Sequence, residues 1–556
     1  MRNSFRTHVR VRRWFGLLTA GAILLTTGGC ASQEEDTGAG YLFTTVLSGN
    51  PECLDPQFTQ NENAEIVIRN TMEGLMRFDD SGEPVPAGAE TFTISGDGLV
   101  YTFTLRSDAY WFSKNMDADR PERVTSRDYV FAFRRIADPA MRSPYAEEFR
   151  CIRNASAIMA GEQEARYLGV SAPDGNTVQF ELEYPDPDFL TRLCQTCAVP
   201  CNQDFFESTD GRYGLDADTY LCNGAFYLTQ WNYDQYSSGN FLTFRKCKHY
   251  HDPDDVFPSS LQFNIMHTRD AAETDFADGN ADVLLTDRYP KAQIHDAHYN
   301  VQSAASTTMG LIFNPDNEIL KDDDLRQALA MSIDREALEP MLGEDVSAAY
   351  GLIPPAVKLL GTSYREIQAD EPLAMPYDPD KAVELFAGSA QQLGIGTMNA
   401  IRVMVPSTLP DTDALLAMSQ NWQDLFGYYI GIETVSPDEF ASRLASGDYS
   451  IALYSMTPER GGCYDALAAY TDRAELLGMP ESVDITALMN GLAKPINLAD
   501  TAALSASIEK LIIDTHCFVP LFYKNRYCIA TAGNVDIQFD PFKLSADFIH
   551  AKHFAK

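Results

Sequence analysis

The chain has 556 residues, of which 45% are hydrophobic and 11% aromatic, a composition typical of a globular protein. Its 79 acidic residues outnumber the 43 lysines and arginines, which gives a formal net charge of −36. A surface this acidic repels phosphate backbones, so the charge argues against nucleic acid as a partner. The length exceeds what one hydrophobic core supports and predicts two or three domains.

The first thirty residues have the pattern of an export signal. Residues 1–15 carry five arginines and no acidic residue, and residues 14–27 form an uncharged run too short to span a bilayer comfortably. Gly28 and Gly29 then precede Cys30, which resembles the lipobox of bacterial lipoproteins, although that family usually has leucine where Thr27 stands. The resemblance implies that a diacylglycerol is attached to Cys30 and that the preceding residues are removed. The alternative is an ordinary secretory signal cleaved near Ala31.

Both alternatives place the remaining chain outside the cytoplasm. Removal of residues 1–30 takes away five arginines and changes the net charge from −36 to −41. A diacylglycerol supplies two acyl chains, which is enough for stable anchoring to a membrane. Residues 31–40 are small or acidic and predict a flexible tether. No second run of about 18 apolar residues follows, so we expect no other membrane span.

Residues 41–200 combine strand and helix patterns. Apolar and polar residues alternate in the strand patterns, and apolar residues recur three and four apart in the helix patterns. Thr125 and Asp128 form a variant capping box at the start of one helix, which Asp138 and Pro139 end. The predicted strands are 41–47, 99–106 and 178–182, and the predicted helices are 66–76 and 125–137. Residues of about 80–200 therefore predict an α+β unit.

The rest of the chain alternates helices with short strands, which favours an α/β lobe. Gly279 is predicted to end a helix before a strand that follows it. Four further helices share an acidic residue near the start, namely 322–338, 380–386, 411–426 and 500–515. The predicted strands are 225–228, 241–244, 261–265, 401–405, 430–435, 450–454, 519–523 and 527–530.

Several residue groups have types that bind metals. The spacing of Cys194, Cys197 and Cys201 resembles a metal motif, but no fourth ligand lies at zinc-finger distance, so disulfides and free thiols both stay open for the ten cysteines besides Cys30. Two histidine pairs, 249/251 and 295/298, lie in polar, turn-like stretches and favour solvated loops. Residues 322–324 are acidic, but they lack the pattern of a calcium loop and are better explained as helix N-terminal charge. We expect no metal and no cofactor.

A series of short motifs runs in one order through nearly all of residues 41–556. They are Leu54-Asp55-Pro56, Met72-Glu73-Gly74-Leu75-Met76-Arg77, Pro84-Val85-Pro86, YTFTLR at 101–106, TSRDY at 125–129, Ser143-Pro144-Tyr145-Ala146, Asn223-Gly224-Ala225-Phe226, DLRQAL at 324–329, SIDR at 332–335, Tyr377-Asp378-Pro379 and GDYSI at 447–451. In this order, behind a lipoprotein signal, they resemble the oligopeptide-binding lipoproteins of bacterial ABC importers, within the extracellular solute-binding protein family 5. The chain departs from the family in its ten cysteines and in an insertion of about six residues after Trp111.

The resemblance implies a mixed α/β (α+β) fold with two lobes, as in periplasmic binding proteins, a hinge between the lobes and an additional inserted domain. The implied domains are a signal peptide at 1–30, a tether at 31–40, a discontinuous lobe I at 41–80, 200–305 and 517–556, an inserted α+β domain at 81–199 packed on lobe I, and lobe II at 306–516. The ligand would be enclosed between the lobes.

The resemblance also implies candidate ligand-binding residues in the segment SIALYSMTPER, 450–460. In oligopeptide binders the matching strand carries a tryptophan, and an aspartate three residues later pairs with the ligand's amino group; here Met456 and Glu459 take these positions. Backbone groups of Ser455 and Thr457 would pair with the ligand as a strand does. The alternative is a strand that ends in a polar turn with a solvated Glu459. Further candidates are Asp465, as a reserve for Glu459, and Tyr145, which either faces the cleft from the inserted domain or is a core tyrosine.

The leading hypothesis is a lipid-anchored, monomeric receptor that captures oligopeptides and delivers them to the permease and ATPase of an ABC importer, at the outer face of the cytoplasmic membrane or in the periplasm. Alternatives are the same fold with another ligand (a dipeptide, a nickel chelate or an oligosaccharide) and a lipoprotein receptor or adhesin without transport. An exported hydrolase is disfavoured, because no nucleophile or zinc-protease motif appears.

Overall fold

In the computed structural model, secondary structure and contacts are described for most of the chain after residue 39. The described residues are 40–79, 82–116, 121–186, 188–294, 298–359, 362–368, 373–398, 400–409, 412–480, 485–492 and 498–554. The predicted signal, Cys30 and the tether up to residue 39 lie outside this set, as does His295. Among the described residues, no helix is long and apolar enough to cross a membrane.

The strands of the described part of the chain range from two-residue pairs to two very long strands. They are β1 (Leu42–Leu47), β2 (Met76–Phe78), β3 (Pro84–Pro86), β4 (Ala89–Ile94), β5 (Val100–Leu105), β6 (Tyr110–Trp111), β7 (Glu122–Arg123), β8 (Val170–Asp174), β9 (Thr177–Glu181), β10 (Phe226–Asn232), β11 (Asn240–Lys246), β12 (Ser260–Ile265), β13 (Val283–Thr286), β14 (Tyr299–Phe313), β15 (Val346–Ala348), β16 (Lys358–Leu359), β17 (Thr362–Ser363), β18 (Arg402–Pro406), β19 (Gly431–Val435), β20 (Ile451–Met456), β21 (Phe518–Thr531), β22 (Asn534–Val535), β23 (Gln538–Asp540), β24 (Ser545–Asp547) and β25 (Lys552–His553).

The α-helices are more frequent after residue 320 than before it. They are α1 (Glu62–Thr71), α2 (Ser126–Ala137), α3 (Ala155–Met159), α4 (Phe189–Arg192), α5 (Gln203–Ser208), α6 (Arg269–Ala277), α7 (Asp323–Met331), α8 (Arg335–Leu338), α9 (Tyr364–Ile367), α10 (Pro379–Leu393), α11 (Asp413–Phe426), α12 (Pro437–Ser446), α13 (Cys463–Thr471), α14 (Ala474–Leu477), α15 (Thr486–Leu492) and α16 (Leu498–Ile513). Short 3₁₀ helices occur at Glu147–Phe149, Ala165–Tyr167, Thr196–Ala198, Pro253–Asp255 and Glu339–Met341.

One large mixed sheet organises the described residues. Its strand order is β10-β11-β12-β1-β13-β21-β14-β20-β18-β19, and β15 pairs with β21 beside this path. β1 is parallel to β12 and β13, and β18 is parallel to β19 and β20, whereas β14 and β21 are antiparallel to each other and to their outer neighbours. Parallel strands joined by helices thus occur in both halves of the sheet, although its edge strands β10 and β11 are antiparallel.

The strands β14 and β21 connect the two ends of this sheet. They pair from Tyr299 opposite Thr531 to Ile312 opposite Phe518, with register shifts between Ala305 and Thr307 and at Gly310. A Cβ on Gly310 would lie 2.5 Å from the Phe518 ring, so the close approach of the two strands requires glycine here.

The hydrophobic side chains form a first core and a second core region. The first core draws its residues from 43–283 and 528–551, and it includes the four-stranded sheet β4-β5-β9-β8 on which Phe133 of α2 packs, 4.8 Å from the ring centre of Phe180. The second core region consists of two clusters drawn from residues 309–522. The first half of β21 belongs to the second region, while Cys528 and Ala530 belong to the first core.

Most predicted elements are present, and three differ. The predicted helix 66–76 is Glu62–Thr71: Asn61 caps its start by accepting hydrogen bonds from Asn63 and Ala64, and residues after Thr71 are extended. The predicted helix 322–338 is broken into α7 and α8, because Asp334 caps a new helix. The predicted strands 519–523 and 527–530 are one strand, β21. The capping box at Thr125 and the helix end at Gly279, with φ of +82°, are confirmed.

Candidate functional site

A cavity of about 990 Å³ lies between the first core and the second core region. The lining residues on the side of the first core belong to segments 69–84, 188–199 and 538–549. Those on the side of the second core region belong to segments 355–359 and 459–465. Residues 302–305 of β14 line it where that strand passes between the two regions. The volume is at the upper end of the range for small-molecule sites, and the lining combines apolar surface with several charged groups, as ligand sites do.

Glu459 lines this cavity and is paired with a lysine from the opposite side. Its side chain is 68% exposed and accepts a hydrogen bond from the ammonium of Lys543. Burial lowers the pKa of Lys543, but Glu459, together with Glu65 and Cys197, outweighs that effect, so the pKa is raised overall. Lys543 is therefore charged, and any ligand ammonium at Glu459 would compete with it.

The strand that precedes Glu459 has an edge that is unpaired among the described residues. On one side, β20 pairs with β14 up to Met456, but on the other side β18 pairs only with Ile451 and Ala452. The Ser455 side chain is exposed, and the Thr457 hydroxyl is hydrogen-bonded to that of Thr307 at 2.8 Å.

The Met456 side chain is 2% exposed and packs in the second core region, not on the cavity wall. The reason is the alternation of the strand, which directs Met456 to the side opposite its exposed neighbour Ser455. The prediction that the backbone of Ser455 and Thr457 pairs with a ligand is not affected by this.

Arg460 and Asp465 form a buried pair at the cavity wall. The Arg460 guanidinium donates to both oxygens of Asp465, and it also pairs with Glu148, which belongs to the first core's side. Arg460 is 3% exposed in its side chain, so this contact joins the two regions away from water. Asp465, the reserve candidate for a ligand ammonium, is already neutralised by Arg460.

Tyr145 lies beside the first core and does not line the cavity. Its hydroxyl donates a hydrogen bond to the carbonyl oxygen of Thr59, and burial raises its pKa. In this position Tyr145 ties its loop to the segment that precedes α1.

Several charged groups at the cavity, among them Asp188, Arg77 and Lys358, were not proposed as ligand-binding residues from the sequence. Asp188 lines the cavity directly before α4, and its carboxylate has no hydrogen-bond or ion-pair partner among the described residues. Arg77 and Lys358 are exposed cations of the lining that likewise form no ion pair with a described residue. Arg77 ends one of the quoted family motifs, but neither that motif nor any spacing marks these three residues as ligand-binding.

The metal alternatives find no support among the described residues, where no group of three or more potential ligands is arranged to hold an ion. His251 instead bonds to Glu73 and Asp252, each at 2.7 Å. Asp322 caps α7, as its helix-start interpretation predicted. The ten described cysteines are free, and burial raises the pKa of Cys197 and Cys201 to about 12, so both are neutral thiols.

Comparison with known proteins places this geometry in a family. Residues 83–473 match the model of the bacterial extracellular solute-binding proteins, family 5 (middle region). Among characterised relatives, the dipeptide-binding protein DppE of Bacillus subtilis is 24% identical over 83% of this chain and 84% of its own length. The probable deoxycholate-binding periplasmic protein YgiS of Escherichia coli is 24% identical over 85% of this chain and 86% of its own length.

Solved structures share the fold. The pheromone receptor PrgZ, described with its mode of peptide binding, superposes with a TM-score of 0.73 at 23% identity over 93% of this chain and all of its own. Listeria monocytogenes OppA bound to peptide superposes with a TM-score of 0.72 at 22% identity. The match covers 93% of this chain and all of the OppA chain. The predicted two-lobed, mixed α/β fold is thereby confirmed. Members of the matched family bind substrates and are not enzymes, as the sequence predicted. The chain belongs to the bacterial extracellular solute-binding proteins, family 5.

Proposed function

We propose that this protein is a lipid-anchored, monomeric receptor that encloses peptides in the cavity between its lobes and delivers them to an ABC permease. The observation that carries the proposal is a cavity of about 990 Å³ lined by both lobes, in a chain of the solute-binding family. A ligand held by both lobes stabilises their closed arrangement, which a membrane partner can recognise.

Three features of the cavity region suit a peptide. The free edge of β20 beyond Ala452 offers backbone groups for strand addition near Ser455 and Thr457. Carboxylates line the cavity at Glu459 and elsewhere, and exposed cations line it at Arg77 and Lys358. A peptide has a backbone ladder, an ammonium and a carboxylate that match these groups.

The peptide class is also supported by the relatives. DppE is named for dipeptides, and OppA and PrgZ are described with bound peptide or its mode of binding. YgiS is named for deoxycholate, so the family model alone does not define a peptide. The choice of peptide rests on the charged groups of both signs in the cavity lining.

We further propose lobe boundaries that follow the cores. The inserted segment 81–199 shares the first core with lobe I, and lobe II centres on residues 306–516. Because Val519 and Leu521 pack in the second core region, the return crossing is better placed near Lys524 in β21 than at residue 517.

Peptide binding is tested by mass spectrometry of ligand released from protein purified from cells, followed by calorimetry with the peptides identified. Mixed peptides are expected; a single metal chelate, sugar or bile acid would overturn the proposal. Glu459→Gln should weaken binding about tenfold, since hydrogen bonds to charged groups contribute roughly 1.5–3 kcal/mol. Glu384→Gln, which removes an exposed carboxylate of α10, is the matched control. Unchanged affinity in Glu459→Gln would remove the role of Glu459.

The anchor is tested by cell fractionation. The wild-type protein is expected in the membrane fraction, released by detergent, and Cys30→Ser in the soluble extracytoplasmic fraction. A fully membrane-bound Cys30→Ser protein would contradict lipidation at Cys30 and favour another mode of attachment.

A further inference from the structure

The carboxylate of Asp188 lines the cavity and has no hydrogen-bond or ion-pair partner among the described residues. Asp188 occupies the N-cap position of α4, but its side chain makes no capping hydrogen bond, and no described residue pairs with it. It is half-buried and lines the cavity. The contacts of the described residues therefore give no structural reason for an acidic side chain at position 188.

The neighbouring carboxylates, in contrast, are all paired. Asp186 accepts from Arg192 at 2.7 Å, Asp465 accepts from Arg460, and Glu148 lies between the two arginines. Together with Asp188, this set (Glu148, Asp186, Asp188, Asp465, Arg192, Arg460) has four acidic groups and two cations. A net negative charge thus faces the cavity at the position of the unpaired group.

The electrostatics agree with this arrangement. Burial, followed by the charges of Asp465 and Asp186, raises the pKa of Asp188 to about 7, although Arg192 opposes the shift. The titratable and charged groups that face Asp188 are Asp186 and Arg192 of its own segment and Cys463 and Asp465 of α13. A half-buried carboxylate without a counter-ion is costly, and a ligand cation would remove that cost.

We propose that Asp188 is a cation-binding subsite of the cavity, which accepts an ammonium or guanidinium group of the ligand and so selects peptides with a positive charge at that point. The inference rests on the proposed peptide function and deepens it. It is separate from the role of Glu459, because Glu459 is largely exposed and already paired with Lys543. The cation is either the peptide's α-ammonium or a lysine or arginine side chain.

The test is a double-mutant cycle between the protein and the ligand. Wild type, Asp188→Asn and the control Glu162→Gln are titrated calorimetrically with three peptides: AAKAA, its analogue with norleucine for lysine, and N-acetylated AAKAA. Glu162 is an exposed carboxylate outside the cavity lining, so its variant removes the same charge without touching the site. Asparagine keeps the shape of Asp188, which has no partner to lose.

Wild type and Glu162→Gln should bind AAKAA about ten- to a hundredfold more tightly than the analogue that lacks the recognised cation. Asp188→Asn should bind those two peptides with affinities within about twofold of each other. If replacing lysine by norleucine lowers the affinity, the recognised cation is the lysine side chain. If N-acetylation lowers it, the recognised cation is the α-ammonium. The same preference in Asp188→Asn as in wild type would overturn the proposal.

Proton release gives an independent readout. At pH 6 the ligand-free carboxylate is mostly protonated, and a bound cation requires its ionised form, so binding of AAKAA should release close to one proton. Calorimetry in two buffers of different ionisation enthalpy measures this number, which should fall to near zero in Asp188→Asn. Equal proton release in both proteins would contradict the assignment.

Failure of the proposed function is distinguishable from failure of this inference. If wild type binds none of the three peptides and no peptide co-purifies, the peptide function is wrong. Wild type and Asp188→Asn are then titrated with 1,5-diaminopentane, a dication without peptide groups. Weaker binding to the variant would still support a cation subsite, and equal or absent binding to both proteins would overturn it.

Discussion

At the scale of single residues, Glu509 is a buried carboxylate on which a loop of lobe II depends. It is 0% exposed, accepts from the backbone N–H of Leu352 and Ile353 and from the Tyr364 hydroxyl, and pairs with Arg365. Glu509→Gln should lower the free energy of unfolding by about 3–5 kcal/mol, because Arg365 is left as a buried charge without a partner. Urea denaturation of the ligand-free protein measures the change.

The control for Glu509 is Glu384→Gln. Glu384 forms an exposed pair with Lys381 on α10, and removal of such a pair changes stability by about 0–1 kcal/mol. If the two variants were equally stable, the loop would not depend on Glu509.

Asp188 also predicts a pH dependence of stability. Its pKa is raised to about 7 in the folded protein, against about 3.9 in an unfolded chain, so the folded state holds the extra proton between these values. The group therefore lowers stability progressively as the pH rises from about 4 to 7. Asp188→Asn should match the wild-type melting temperature near pH 4 and exceed it at pH 8. A difference that does not change with pH would contradict the raised pKa.

The residues of the candidate site were only partly predictable. The segment 450–460 was identified by resemblance, and it contains both Glu459 and Arg460, which line the cavity. The partners Lys543 and Glu148 are far away in sequence, and no pattern connects them to it. Asp188 could not be predicted, because an acidic loop residue is usually solvated and only the fold shows that this one lacks a partner.

At the scale of elements, periodicity predicted the short strands and the capped helices well. It failed for β14 and β21, which cross between the lobes. Polar residues interrupt both strands: Gln302 and Ser303 of β14 line the cavity, and Lys524 to Arg526 in the middle of β21 are half-buried. A polar interruption in an apolar run is the usual signal of a loop, so one strand was split into two and the other was missed.

Alanine substitution should change the stability of the protein in opposite directions at Gly310, in β14, and at Gly388, in α10. Gly310→Ala should destabilise the protein by about 1–3 kcal/mol, because its Cβ would lie 2.5 Å from Phe518 and 2.6 Å from the Val519 carbonyl oxygen. Gly388 lies in α10 with open space around it, so Gly388→Ala should stabilise the protein by about 0.5–1 kcal/mol. Urea denaturation of both variants measures the two changes in the free energy of unfolding. If Gly310→Ala were as stable as wild type, the two strands would separate easily at this position.

At the scale of the whole molecule, the two lobes are joined by continuous strands and by ion pairs across the cavity. Arg460, on the side of the second core region, reaches Glu148, and Glu459 on the same side reaches Lys543. In the first pair the side chains of Arg460 and Glu148 are both mostly buried, whereas in the second pair Glu459 is 68% exposed, so the second pair should contribute less. Removing one partner of a buried ion pair costs much free energy, because the remaining charge is desolvated and unpaired. An exposed ion pair contributes only about 0–1 kcal/mol to stability.

Removal of these pairs should shift the ligand-free protein towards an open arrangement to different extents. Glu148→Gln should increase the radius of gyration in small-angle X-ray scattering, because Arg460 loses its charged partner on the other lobe and keeps only Asp465. Lys543→Met should increase it less, and Lys321→Met, which breaks an exposed pair within lobe II, should leave it unchanged. Saturating peptide should restore one compact value in all variants, because a ligand that contacts both lobes favours closure whatever the ion pairs contribute. If Glu148→Gln and wild type scatter identically without ligand, the buried pair does not hold the lobes together.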